Sequence, residues 1–148
     1  MARKKESFLR EHSLGLVTAG ILAAWIVLYS VSDDKTRSGS FFGNAIADFT
    51  GLLVSVLATK YFFEIGSAES REPPHKYLAW VPEFLLEHSL TIFILITGAG
   101  WLILFLKVDP DGKWGQVVGN IVSEWAQLLG IVWLTKELTE RGSKESKR

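Results

Sequence analysis

Four apolar stretches separated by polar ones organise this chain. Residues 13–32 carry no charged side chain, and neither do residues 89–106. As helices these runs span about 27–30 Å at 1.5 Å per residue, close to the thickness of a bilayer core. Two further stretches are less pure: residues 45–59 hold a single acid, Asp48, and residues 117–135 a single acid, Glu124. The pattern predicts an all-α integral membrane protein with transmembrane helices at about 13–32, 44–63, 89–107 and 117–138. A soluble bundle would require a polar face on the first and third helices, and neither has one.

The pattern is also written twice. Phe8-Leu9-Arg10-Glu11-His12-Ser13-Leu14 returns as Phe84-Leu85-Leu86-Glu87-His88-Ser89-Leu90, an offset of 76 that holds without a gap to the last residue. Trp25 falls on Trp101, Gly43-Asn44 on Gly119-Asn120, Thr59-Lys60 on Thr135-Lys136, and Gly66-Ser67 on Gly142-Ser143. Of the 65 pairs between 8–72 and 84–148, 23 are identical, against roughly a tenth or less by chance, which marks an internal duplication. The expected organisation is a hairpin repeat over 1–72, a linker over 73–83 and a second hairpin repeat over 84–148. Two repeats of the same orientation make a tandem parallel repeat about an axis along the membrane normal.

Charge adds an orientation. Of 16 Lys and Arg residues, 12 fall in the N-terminal segment, central linker and C-terminal segment; only Lys35, Arg37, Lys107 and Lys113 flank the hairpin loops. Basic residues gather on the cytoplasmic side, so both termini are expected there. Arg3-Lys4-Lys5 before the first apolar run resembles a signal-peptide start, but the run is long for one and its duplicate lies mid-chain, so it is read as retained. The zero formal net charge offers no argument for nucleic acid as a partner. With no Cys, disulfides, thiol catalysis and thiolate metal sites are excluded.

The connecting segments follow from composition. Residues 32–40 and Asp109-Pro110-Asp111-Gly112 read as polar turns. Trp25, Tyr29 and Trp114 are expected at the membrane interface, and the aromatic and charged mixture from His75 to Pro82 suggests a segment on its surface.

Chemistry concentrates in two places. Asp48 and Glu124 occupy equivalent positions, each expected about one turn inside its helix from the outer face, and an ionisable group within a membrane helix is by default a functional hypothesis. Asn44, Asp48, Gly51, Ser55 and Thr59 share one helical face; Asn120, Glu124, Gln127 and Thr135 repeat the stripe, interrupted by Ile131. The stripes are expected to face inward. They would line an ion, proton or solute path, or else mediate helix packing through small residues and interhelical hydrogen bonds, the simpler reading. The second place is the repeated Glu-His pair. Glu11, His12, Glu87 and His88 could converge as ligands for zinc or iron. The competing reading is local: the glutamates complement helix dipoles, Ser13 and Ser89 cap, and Lys60 and Lys136 pair with Glu11 and Glu87. No cofactor is expected.

The Phe-Leu-x-Glu-His-Ser-Leu start, the Ser123-Glu124-Trp125 element and the Gly-Ser-x-Glu-Ser segment followed by a basic residue resemble a family of small bacterial inner-membrane proteins of unknown function. The resemblance covers about 8–148 and implies the same duplicated hairpin with a Ser-Glu-aromatic element in each even helix. Ala47-Asp48-Phe49 departs from that element, and the hairpin loops here are shorter than the family's. The resemblance implies no activity. The expectation is a non-enzymatic multi-pass protein in the lipid bilayer, acting through helix association with itself or another membrane protein. The alternative is a small channel or transporter with Asp48 and Glu124 at its outer mouth.

Overall fold

The computed structural model describes residues 8–71, 73 and 82–146. Every regular element among them is a helix: α1 (Phe8–Glu11), α2 (Ser13–Val31), α3 (Arg37–Tyr61), α4 (Glu83–Glu87), α5 (Ser89–Phe105) and α6 (Lys113–Glu137). Three of these, α2, α3 and α6, are long and apolar enough to cross a membrane. α5 is also apolar but shorter, at 17 residues. The surface segment expected at His75–Pro82 lies outside the described residues except at Pro82.

α3 and α6 form the centre. α2 packs on α3, α5 packs on α6, and α3 packs on α6. The flanking helices bury little of themselves: only Thr18 and Tyr29 of α2, and Leu90, Thr91 and Ile94 of α5. Burial concentrates on α3 and α6, where Ile46, Ala47, Val117, Ile121, Trp125 and Val132 form the shared core. Several hydroxyls within the helices are satisfied by their own backbone, whereas Thr91 Oγ1, buried in α5, has no partner among the described residues. Thr18, Thr50, Thr59, Thr97 and Thr135 each donate to the carbonyl four residues back, so they enter an apolar helix without an orphaned donor.

α3 and α6 begin earlier than their apolar runs. Asp33 Oδ1 accepts from Lys35 N at 3.0 Å and Asp109 Oδ1 from Asp111 N at 3.1 Å, folding the same turn in each half. Thr36 then caps α3 by accepting from Gly39 N at 3.0 Å, and Gly112 stands at the N-cap of α6. Thus Arg37–Ser40, the end of the stretch expected as a polar turn, is helix. Tyr29 also differs from expectation. It is 1% exposed, packs over Gly43 and donates its hydroxyl to the Lys113 carbonyl, tying α2 to the start of α6 instead of facing the interface.

After α3 and after α6 the chain makes the same hook. Gly66 and Gly142 both have φ of 87°, a left-handed conformation that a side chain would strain. Ser70 Oγ accepts from Glu64 N at 2.8 Å, and Ser146 Oγ accepts from Glu140 N at 3.2 Å. Within each hook Ser67 Oγ accepts from Glu69 N and Ser143 Oγ from Glu145 N, at 3.2 and 3.1 Å.

Candidate functional site

Two polar assemblies stand out, one midway along α3 and α6 and one at their C-terminal ends. The first gathers part of the stripe read from the sequence. Asn120 Nδ2 donates to Asn44 Oδ1 at 2.6 Å. Further along, the Glu124 carboxyl lies close enough to that of Asp48 for the two to interact, and accepts from Gln127 Nε2 at 3.3 Å. Glu124 lies over Gly51, where an added Cβ would come within 3.1 Å of its Oε2. Asn44 and Asn120, Asp48 and Glu124 are each separated by the repeat offset of 76, so residues here meet their own counterparts.

Two expectations about these acids require correction. Asp48 lies 11 residues past Arg37, the first residue of α3 (48 − 37), and Glu124 lies 11 past Lys113, the first of α6 (124 − 113). That is about 16 Å along a helix, three turns in, because both helices start earlier than their apolar runs. The N-terminal dipole does not reach so far. The stripe also does not face wholly inward: Gly51 is buried, but Asn44, Asp48 and Gln127 are exposed and Glu124 is half-buried. The small residues take the tight α3–α6 contact, which leaves the longer polar side chains at its edge. Ser55 and Thr59 line a small void of about 20 Å³ between the same helices, with Glu69.

The second assembly was not read from the sequence. Glu64, just beyond α3 in the first hook, is 1% exposed. Its Oε1 accepts from His88 Nδ1 at 2.7 Å and from Lys136 Nζ at 3.0 Å, and its Oε2 from Thr91 N at 3.4 Å. Burial alone would raise the carboxyl's pKa; the hydrogen bonds from His88, Thr91 and Lys136 and the Lys136 charge outweigh it and hold the group below the usual glutamate range. Around it the hook is fastened throughout. Phe63 N donates to Ser89 Oγ at 2.8 Å, Ser67 Oγ lies 3.0 Å from Thr135 Oγ1, and Ile65 N donates to the Glu87 carbonyl at 2.9 Å. A mainly apolar cavity of about 400 Å³ opens beside the carboxyl, lined by His88, Ile92, Leu95, Trp133 and Lys136 among others.

This arrangement separates the residues considered as metal ligands. His88 is taken up by Glu64, whereas His12 Nδ1 accepts from Lys60 Nζ at 3.2 Å. Glu11, His12, Glu87 and His88 are not brought together, and among the described residues no group of three or more His, Asp or Glu could hold a metal ion. Lys136 pairs with Glu64 instead of Glu87, and Lys60 with His12 instead of Glu11. Ser13 and Ser89 do not cap their helices: His12 and His88 stand at the N-caps, and the serine hydroxyls donate to the carbonyls of Arg10 and Leu86. Thr135, placed on the polar stripe, serves the hook through Ser67 and Ala68 N. One signal for Glu64 was available: Glu64 and Glu140 are identical across the offset of 76.

Comparison with protein-family models, with curated proteins and with solved structures finds no match.

Proposed function

We propose that this chain is a non-enzymatic, four-span membrane protein that works by helix association, and that the association surface is the polar edge of the α3–α6 seam. In this reading α5, about 26 Å long at 1.5 Å per residue, is the fourth span. The two hairpins are parallel repeats about an axis between α3 and α6, with both termini cytoplasmic in a bacterial inner membrane. The meeting of Asn44 with Asn120 and of Asp48 with Glu124 supports such an axis.

The observation that carries the association is the exposure of Asp48 and Gln127 at mid-helix. An ionised side chain at the centre of a membrane helix costs about 2.5–3.5 kcal/mol even on lenient scales. Against acyl chains such an edge is untenable; against the same edge of a second copy its amides and carboxyls gain hydrogen-bond partners. Partners of either kind named above, a second copy or another membrane protein, would satisfy it, and self-association is the simpler. The test is disulfide trapping between chains of a single-cysteine variant, Gln127→Cys, in a protein that has no other Cys. Rapid dimer formation in liposomes is expected there but not at lipid-facing Val27→Cys. Equal yields at both positions would refute the assignment.

A second reading has one observation in its favour: the paired carboxyls of Asp48 and Glu124 sit where a proton or cation path would need them. The cavities of about 400 and 790 Å³ at the other end of the bundle do not include either acid. Flux in liposomes comparing wild type with Asp48→Asn/Glu124→Gln decides it, and equal flux removes the transport reading.

A further inference from the structure

The duplication supplies a template that half of the molecule leaves unfilled. In the second repeat, His88 and Lys136 hold the Glu64 carboxylate of the first hook, and Thr135 holds its Ser67. Subtracting 76 from each receptor residue gives His12, Lys60 and Thr59. His12 and Lys60 are already adjacent, nitrogen to nitrogen at 3.2 Å, and among the described residues no carboxylate is seen to bridge them. They stand in an open groove of about 790 Å³, whose rim also carries Glu11 and Arg71. Thr59, half-buried at the same end, donates to the Ser55 carbonyl and, among the described residues, bonds to nothing in the second repeat.

The matching hook exists and is folded. Glu140 to Ser146 has the same left-handed glycine and the same two serine-to-backbone bonds as Glu64 to Ser70. Where Glu64 and Ser67 are 1% and 0% exposed, however, Glu140 is exposed and Ser143 half-exposed. Among the described residues, no side-chain bond joins Glu140 or Ser143 to the first repeat. The hook nevertheless lies near this end of the first repeat: Glu145 is close enough to Glu69 for their carboxyls to interact, and Glu69 lines the void beside Thr59.

We propose that His12 and Lys60 form a second carboxylate-binding site and that its ligand is Glu140 of the same chain, the C-terminal hook closing as a strap onto the first repeat. In the closed form Glu140 bridges Lys60 and His12, and Ser143 bonds Thr59. The same chain is favoured over a second copy because the first hook docks within its own chain, and the operation that exchanges the two repeats carries that contact onto the second hook. It is favoured over a lipid phosphate because a folded hook bearing the required carboxylate already stands at this end of the bundle, with Glu145 near Glu69 of the first hook.

The test uses Thr59→Cys/Ser143→Cys in the full chain, which has no native Cys, with Ser67→Cys/Thr135→Cys as the docked control. Under mild oxidation in liposomes, both pairs are expected to cross-link within one chain, seen as a mobility shift without a dimer band. Glu140→Lys is expected to slow the Thr59–Ser143 cross-link at least threefold, in line with an exposed ion pair. Adding Lys60→Glu is expected to restore it, which a general loss of fold would not allow. Cross-linking only between chains would overturn the proposal in favour of a second copy. Absence of the cross-link while the control forms would also overturn it. So would a cross-link in neutral-lipid vesicles that anionic lipid abolishes at fixed ionic strength, which would assign the site to a headgroup phosphate.

Discussion

Glu64 and Glu140 are the same residue at the same repeat position, with opposite surroundings, so replacing each by glutamine isolates the contribution of docking. Glu64 carries hydrogen bonds from His88 Nδ1 and Lys136 Nζ and is 2% exposed at its side chain, with His88 and Lys136 at 27% and 28%. Hydrogen bonds to charged groups contribute about 1.5–3 kcal/mol each. Two such bonds suggest a larger sum, but both donors retain access to solvent and can be rehydrated when the carboxylate is removed. The expected loss for Glu64→Gln is therefore about 2 kcal/mol, below the range for breaking a fully buried pair. For Glu140→Gln, an exposed position, the loss is at most about 1 kcal/mol, the upper end for a surface pair. The assay is reversible unfolding in mixed micelles, followed by Trp fluorescence and titrated with denaturing detergent. Equal losses for the two variants, or a loss under about 0.5 kcal/mol for Glu64→Gln, would refute the reading of Glu64 as the buried anchor of the first hook.

The remaining predictions concern pH, backbone and packing. Because the folded state lowers the Glu64 pKa, its stabilisation is complete above the ordinary glutamate range and is lost as pH falls through the lowered value; Glu64→Gln should flatten the acid limb of a stability–pH profile. Glu69 runs the other way: burial, then the hydrogen bond and charge of Glu145, raise its pKa, so its contribution is present below the ordinary glutamate range and fades as pH rises through the raised value. Glu69→Gln should accordingly stabilise at neutral pH and leave acidic stability unchanged, measured by the same unfolding assay. Gly66→Ala should cost about 1–2 kcal/mol for its left-handed backbone, and more than Gly142→Ala, because its new Cβ would meet Lys136 Cγ at 3.2 Å whereas Gly142 faces open space. Gly51→Leu should separate α3 from α6 by displacing Glu124, and should lower the Gln127→Cys dimer yield several-fold.

The helical class and the apolar runs were legible because membrane-length hydrophobicity leaves few alternatives for a backbone without water. The duplication was legible for a similar reason, since the offset of 76 needs no structure to be seen. Helix starts were less so. The serine and glycine residues of 38–40 carry loop composition, and only the Thr36 cap turns them into helix. That error moved Asp48 and Glu124 from the middle of their helices to one turn from an end, and with them the reason for their presence. Glu64 was illegible for a different reason. Nothing in Phe63-Glu64-Ile65 distinguishes a buried acid from a solvated one; its partners lie 24 and 72 residues away. The Glu-His repeat pointed to the right place, but to the adjacent acid.

The central claim, that the polar edge of α3 and α6 is an association surface, is tested most directly by the detergent-corrected mass of the purified protein. The chain weighs 16.5 kDa. A protein mass at an integral multiple of two or more is expected for wild type, falling toward a single chain in Asn44→Leu/Asp48→Leu, which removes the exposed polar groups of the α3 edge without shortening the helix. A wild-type protein that remains one chain across detergents and concentrations would contradict the account.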